Sequence, residues 1–145
     1  MGMIGGGEGA FIGAVHRMAA ELDGDIELVA GAFSSDPDRS RRSGQSIYRL
    51  PVDRCYPDYS SMLRAENALG AEQRMDFVTI TTPNHRHFDA ARSALNAGFH
   101  VACDKPVTHQ LADAEALARQ LSGSDRLFCL THIYTGYPMI REAAA

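Results

Sequence analysis

The chain has little of what would make it a membrane, extracellular or polyanion-binding protein. No apolar run approaches the eighteen or so residues that a membrane-spanning helix requires. The opening stretch MGMIGGGEGA has neither a basic flank nor a long apolar core, so no signal peptide is expected. Cysteine is scarce: Cys55, Cys103 and Cys129 are odd in number and widely spaced, without a CxxC pair or a Cys/His quartet. That argues against a disulfide framework and structural zinc, and for free thiols in a reducing, cytoplasmic setting. Positive charge is short as well. The formal net charge is −4, and the only basic cluster is Arg39, Arg41 and Arg42, so nucleic acid is not an expected partner. Internal repeats and low-complexity tracts are lacking too.

What the chain does have is enough apolar matter for one core. At 145 residues and 45% hydrophobic content, a single domain over 1–145 is expected. Strand-length apolar runs at 1–5, 26–33, 77–81, 100–103 and 127–131 alternate with helix-period segments at 10–22, 59–69, 88–96 and 111–121. The segment 40–56 reads as polar and irregular, and 139–145 as the opening of a further helix. Gly98 and Gly123 stand as helix stops. Strands alternating with helices, several of the strands apolar on both faces, predict an α/β fold: a Rossmann-type, doubly wound, mainly parallel sheet.

Glycine is concentrated at one end. Of 13 glycines, Gly2, Gly5, Gly6, Gly7, Gly9 and Gly13 all fall before residue 14. Gly5-x-Gly7-x-x-Ala10 fits a G-x-G-x-x-G/A turn between a strand and a helix: one glycine for the turn, one for close approach of a pyrophosphate, a small residue for helix packing. Gly9 belongs to the same turn. Amides at the following helix N-terminus would face phosphates. The second strand ends near Asp36, which could accept from a ribose 2′-hydroxyl and favour NAD. Ser34, Ser35 and Arg39 could hold a 2′-phosphate and favour NADP, and the alternatives stay open.

Two further motifs follow strand ends, where such folds bind ligands. After the third strand, Pro83 in Thr81-Thr82-Pro83-Asn84-His85-Arg86-His87 stops sheet pairing and offers apolar surface to a flat ring, while Asn84 and His87 offer polar contacts. After the fourth comes Asp104-Lys105-Pro106. A lysine at a buried strand end is costly unless it has a partner or a task. His85 and His87 resemble a metal pair by type alone, and no metal is expected. His16, His100, His109 and His132 are read as cap, surface or core residues.

The ordered set GGGEGAFIG, TPNHRHFDAA, AGFHVACDKP and THIYTGYP resembles the N-terminal nucleotide-binding domain of the glucose-fructose oxidoreductase / inositol dehydrogenase / MocA family. The family's Glu-Lys-Pro signature stands here as Asp104-Lys105-Pro106, one methylene shorter at the acid. The resemblance implies an NAD(P)-dependent oxidoreductase acting on a sugar, cyclitol or related polyol. It places Gly5, Gly7, Ala10, Phe11 and Ile12 around the pyrophosphate, and Ser34, Ser35 and Asp36 at the adenosine ribose. Thr82, Pro83, Asn84 and His87 would lie along the cofactor, Asp104 and Lys105 near the nicotinamide and substrate, with Lys105 the catalytic residue of this chain. Tyr134, Tyr137 and Pro138 fall where the family turns toward its substrate. Family members continue into a second domain that supplies much of the substrate pocket, the oligomer interface and an Asp/His pair. That domain is absent from this sequence, so the chain alone is expected to bind dinucleotide without efficient turnover. A non-catalytic nucleotide-binding module, or a binder of an adenosyl cofactor, is the competing reading.

Overall fold

The computed structural model describes residues 1–145. An inner strand of its sheet is β1 (Gly2–Gly5), whose Met3 and Ile4 are buried on opposite faces because the strand is covered from both sides. There follow α1 (Ile12–Glu21), β2 (Ala30–Ala32), α2 (Pro37–Ser46), α3 (Tyr59–Ala68), β3 (Phe77–Thr81), α4 (His87–Asn96), β4 (His100–Asp104), α5 (Leu111–Ser122), β5 (Phe128–Thr131) and α6 (Pro138–Ala143). No helix is long and apolar enough to cross a membrane.

All strand pairings are parallel, in the order β2-β1-β3-β4-β5. The order therefore reverses between β1 and β3, where Gly5 sits opposite Thr81. A single parallel bridge, Gly31 to Cys55, occupies the place beyond β2 where dinucleotide-binding sheets carry a further strand. One face of the sheet packs Ile4, Val78, Ile80, Val101 and Cys103 against Met62 and Leu63 of α3, Ala90, Ala91 and Ala94 of α4, and Leu117 of α5. Three alanines on α4 let that helix lie close to the strands. The other face buries Met1, Met3, Leu28, Phe33, Tyr48 and Leu50 beneath α1 and α2, and stays open beside α1 as an apolar groove of about 570 Å³.

The expected fold class is the observed one. The main departure is α2, which the polar composition of 40–56 hides. Its buried face is Ser40, Ser43 and Gly44, a helical i, i+3, i+4 pattern built without large apolar residues. The strand expected over 26–33 forms ladder pairs only at Ala30–Ala32, although the Val29 N–H still donates to the Met1 carbonyl at 3.0 Å.

Candidate functional site

The glycine turn is built by backbone constraints. Gly5, Gly6 and Gly9 have φ of 90°, 76° and 80°, a region that side chains disfavour. Gly7 is required by proximity: a Cβ there would lie 2.5 Å from the Phe33 carbonyl oxygen, which accepts the Gly7 N–H at 3.0 Å. Ser43 of α2 accepts the Glu8 N–H at 3.1 Å, and the Tyr48 hydroxyl donates to the Gly6 carbonyl. The helix missed in the sequence thus holds the turn in place. Close docking of α1 rests on Gly13, whose Cβ would meet Gly6 Cα at 2.5 Å, and not on Ala10 as the fingerprint suggests.

Helix α1 has no side-chain cap, with Phe11 at its N-cap position. The α2 and α3 helices are capped by Asp36, taking the Arg39 N–H at 2.6 Å, and Asp58, taking the Ser61 N–H at 2.8 Å, while α4, α5 and α6 lack a side-chain cap as α1 does. The first amides of α1 are left for an external anion. They sit at the sheet edge where the strand order reverses, beside a cavity of about 650 Å³, ample for a cofactor. Gly5, Gly7, Ala10, Ser34, Ser35, Arg39, Thr82 and Pro83 all line it. Thr82 Oγ1 is buried there without a hydrogen-bond partner, a polar atom that a ligand would satisfy.

Other expected site residues do not reach this cavity. Asn84 is exposed on a short 3-10 turn, and Gly9 and Phe11 face outward. Ile12 lines the apolar groove on the other side. The Asp36 carboxylate is occupied as a helix cap. His87 is fully buried and does not line the cavity. Its Nδ1 lies 2.7 Å from the Pro106 carbonyl and its Nε2 2.9 Å from the Thr82 carbonyl, so it ties the two loops together. Asp104 turns toward α1 and β5, accepting from Thr131 Oγ1 at 3.2 Å with His16 Nε2 at 3.8 Å. Lys105 stands just past β4, exposed, with no carboxylate partner; it escapes the burial cost that its position after an apolar strand suggests.

Sequence reasoning missed Glu8, Asp58, Tyr59, His85 and Arg86, which also line the cavity. His85 and Arg86 were in plain view inside the TPN motif. Asp58 and Tyr59 arrive only because α3 packs beside β2, which no local pattern reveals. His16, read as an ordinary histidine, bridges elements: its Nδ1 is 3.0 Å from Thr79 Oγ1. Burial lowers its pKa from the ordinary value, and the Asp104 charge partly opposes that shift. Tyr134 and Tyr137 are exposed and stack on each other, ring centroids 6.1 Å apart.

The model of an oxidoreductase family with an NAD-binding Rossmann fold matches residues 1–132. The chain belongs to the glucose-fructose oxidoreductase / inositol dehydrogenase / MocA family. It is 32% identical over 144 residues to the oxidoreductase YfiI of Bacillus subtilis, covering 99% of this chain and 36% of that protein. An oxidoreductase of Sinorhizobium meliloti has a similar structure, with TM-score 0.88 and 50% identity over 98% of this chain and 39% of its own. An inositol dehydrogenase homologue of Azotobacter vinelandii, solved with NAD+, gives TM-score 0.91 and 39% identity, covering 98% of this chain and 36% of that one. The same homologue was also solved with NADH and myo-inositol. The chain therefore spans well under half the length of these relatives. As a member of the family it is an NAD-type Rossmann domain whose cofactor is NAD or NADP. Its own features fit that cofactor: an uncapped α1, a glycine cradle and an orphaned Thr82 hydroxyl at one sheet edge.

Proposed function

We propose that residues 1–145 form one domain, the dinucleotide-binding half of an oxidoreductase that acts on a sugar, cyclitol or related polyol. The observation that carries this reading is the convergence of the glycine turn, the uncapped α1 and Thr82 at the reversal between β1 and β3. The bound cofactor would supply hydride exchange with a carbinol carbon. Amides of the turn and of α1 hold its pyrophosphate, with Gly5, Gly7 and Ala10 allowing close approach. Thr82 and Pro83 bound it on the β3 side. Lys105, free of any carboxylate, is available to hydrogen-bond a substrate oxygen and exchange its proton. The myo-inositol complex of the Azotobacter homologue supports a polyol as the substrate class.

Lys105 alone does not make an efficient dehydrogenase, because catalysis needs a second acid/base group and a walled pocket. The purified chain is expected to bind NADH or NADPH without turning over inositol or glucose. In a thermal-shift titration either dinucleotide at 100 times its Kd should stabilise the fold by about 2.7 kcal/mol. Selective stabilisation by S-adenosylmethionine would sink the dehydrogenase reading, and robust polyol oxidation by the chain would sink its catalytic limit. In a complete enzyme carrying this domain, Lys105→Ala should lower kcat by about 10² to 10⁴ while leaving dinucleotide affinity nearly unchanged. Equal activity of that variant would remove Lys105 from the chemistry.

A further inference from the structure

We propose that the adenosine end of this cavity is built for a 2′-phosphate, so that the chain prefers NADP(H) to NAD(H). The inference rests on the cofactor reading above and specifies it. A ribose 2′-hydroxyl is read by a carboxylate at the end of the second strand, whereas a 2′-phosphate is read by arginine and hydroxyl donors. The first acid after β2, Asp36, is exposed, caps α2 with its Oδ1 and does not line the cavity. Phe33 follows the strand there, buried and stacked on Tyr48 with ring centroids 4.5 Å apart, and contributes to the turn only through its backbone.

Asp36 does not line the cavity; its Oδ1 caps α2 by accepting the Arg39 N–H at 2.6 Å. Asp58 reaches the cavity, but Ser61 donates to its Oδ1 from N and to its Oδ2 from Oγ, both at 2.8 Å. Glu8 also reaches it, two-thirds exposed, and stands 3.7 Å from Arg39 Nε, beyond a hydrogen bond. The donors are better placed. Ser34 Oγ accepts the Asp36 N–H at 3.1 Å, which leaves its own proton free for an outside acceptor. Ser35 Oγ is engaged by no protein group, and the Arg39 guanidinium is half exposed at the cavity wall. A phosphate carries more charge than the Glu8 carboxylate and can take the guanidinium in a bidentate grip, so it displaces that weak, solvent-screened contact. Two hydroxyls and one guanidinium thus line the same end of the cavity.

The test is calorimetric titration of the 145-residue chain with NADPH, with NADH, and with adenosine 2′,5′-bisphosphate against AMP. The phosphorylated member of each pair should bind about tenfold more tightly or better. Arg39→Ala should bring the NADPH to NADH ratio close to one, and Ser35→Asp, which restores a carboxylate, should invert it. Circular dichroism confirms that both variants fold. NADH binding as tightly as NADPH to the natural chain, or Arg39→Ala weakening both dinucleotides equally, would overturn the inference and leave the cofactor reading standing. Failure of both dinucleotides to bind a folded chain would overturn the cofactor reading and this inference with it.

Discussion

A single β-carbon at Gly7 would collide with the Phe33 carbonyl at 2.5 Å, and that carbonyl belongs to the end of β2 rather than to the turn itself. Gly7→Ala must therefore push the turn away from the strand, and it should weaken NADH and NADPH binding at least about tenfold in titrations while circular dichroism stays native. Asp58 shows a different kind of dependence. Its carboxyl is held below the ordinary range, first by the Ser61 backbone N–H, with burial opposing. A depressed carboxylate contributes fully above the unfolded value of about 3.9 and loses that contribution as pH falls through its lower folded value. Asp58→Ala should cost about 1 kcal/mol at pH 7, read from denaturant midpoints, and the difference should fade in acid. At this scale the sequence was readable where the backbone was constrained, as at Gly5 and Gly7. Side-chain direction was not readable: Asp36, Asp104 and His87 lie in the expected loops, and each makes a hydrogen bond within the protein.

Among the elements, α2 and α3 position the site, and both do so through polar groups. Ser40 accepts the Phe33 N–H at 2.8 Å and donates to the Tyr56 carbonyl at 2.6 Å, fixing the end of β2 to the segment after α2. Glu66 on α3 is fully buried and receives Arg54 Nε at 2.9 Å, Arg54 Nη2 and the Tyr56 hydroxyl at 2.8 Å, and the Met75 N–H at 3.1 Å. Burial, then the Glu66 hydrogen bond and charge, raise the Tyr56 hydroxyl well above its ordinary pKa. Glu66→Ala strands a largely buried guanidinium and should cost about 3–5 kcal/mol in chemical denaturation. A loss under 1 kcal/mol would mean that the network is solvated. Hydrophobic periodicity finds α3, α4 and α5, whose apolar Met62, Leu63, Leu95 and Leu117 are buried, and it finds α1 although Val15 and Met18 on that helix stay exposed. It cannot find α2, whose face is hydroxyl and glycine; the Ser-Asp-Pro start, a cap followed by proline at N1, is the signal that could have.

For the molecule as a whole, alternation of strands and helices made the parallel sheet legible, since each crossover needs a helix. Which loops meet at the sheet edge follows from strand order, a long-range property, and so Asp58 and Tyr59 stayed hidden. The two sheet faces are unequally covered. Val15, Phe77 and Leu127 border the open groove, and Cys129 lies on its exposed floor, while Cys55 and Cys103 are buried. Burial raises the Cys55 thiol and pushes Cys103 up to about 12. A water-soluble maleimide should therefore add once to the folded chain, at Cys129, by intact mass and peptide mapping. Rapid triple labelling of the native chain would show that neither sheet face is packed as described, since Cys55 and Cys103 are buried on opposite faces.

The central claim is that a nicotinamide dinucleotide binds where β1 and β3 part, through the glycine turn. Amide hydrogen exchange with and without saturating NADPH or NADH tests it directly. Slower exchange is expected at residues 5–13, 34–39 and 81–83, with the cores of α4 and α5 unchanged. Saturation that leaves the glycine turn unprotected, or protection confined to the groove beside α1, would contradict it.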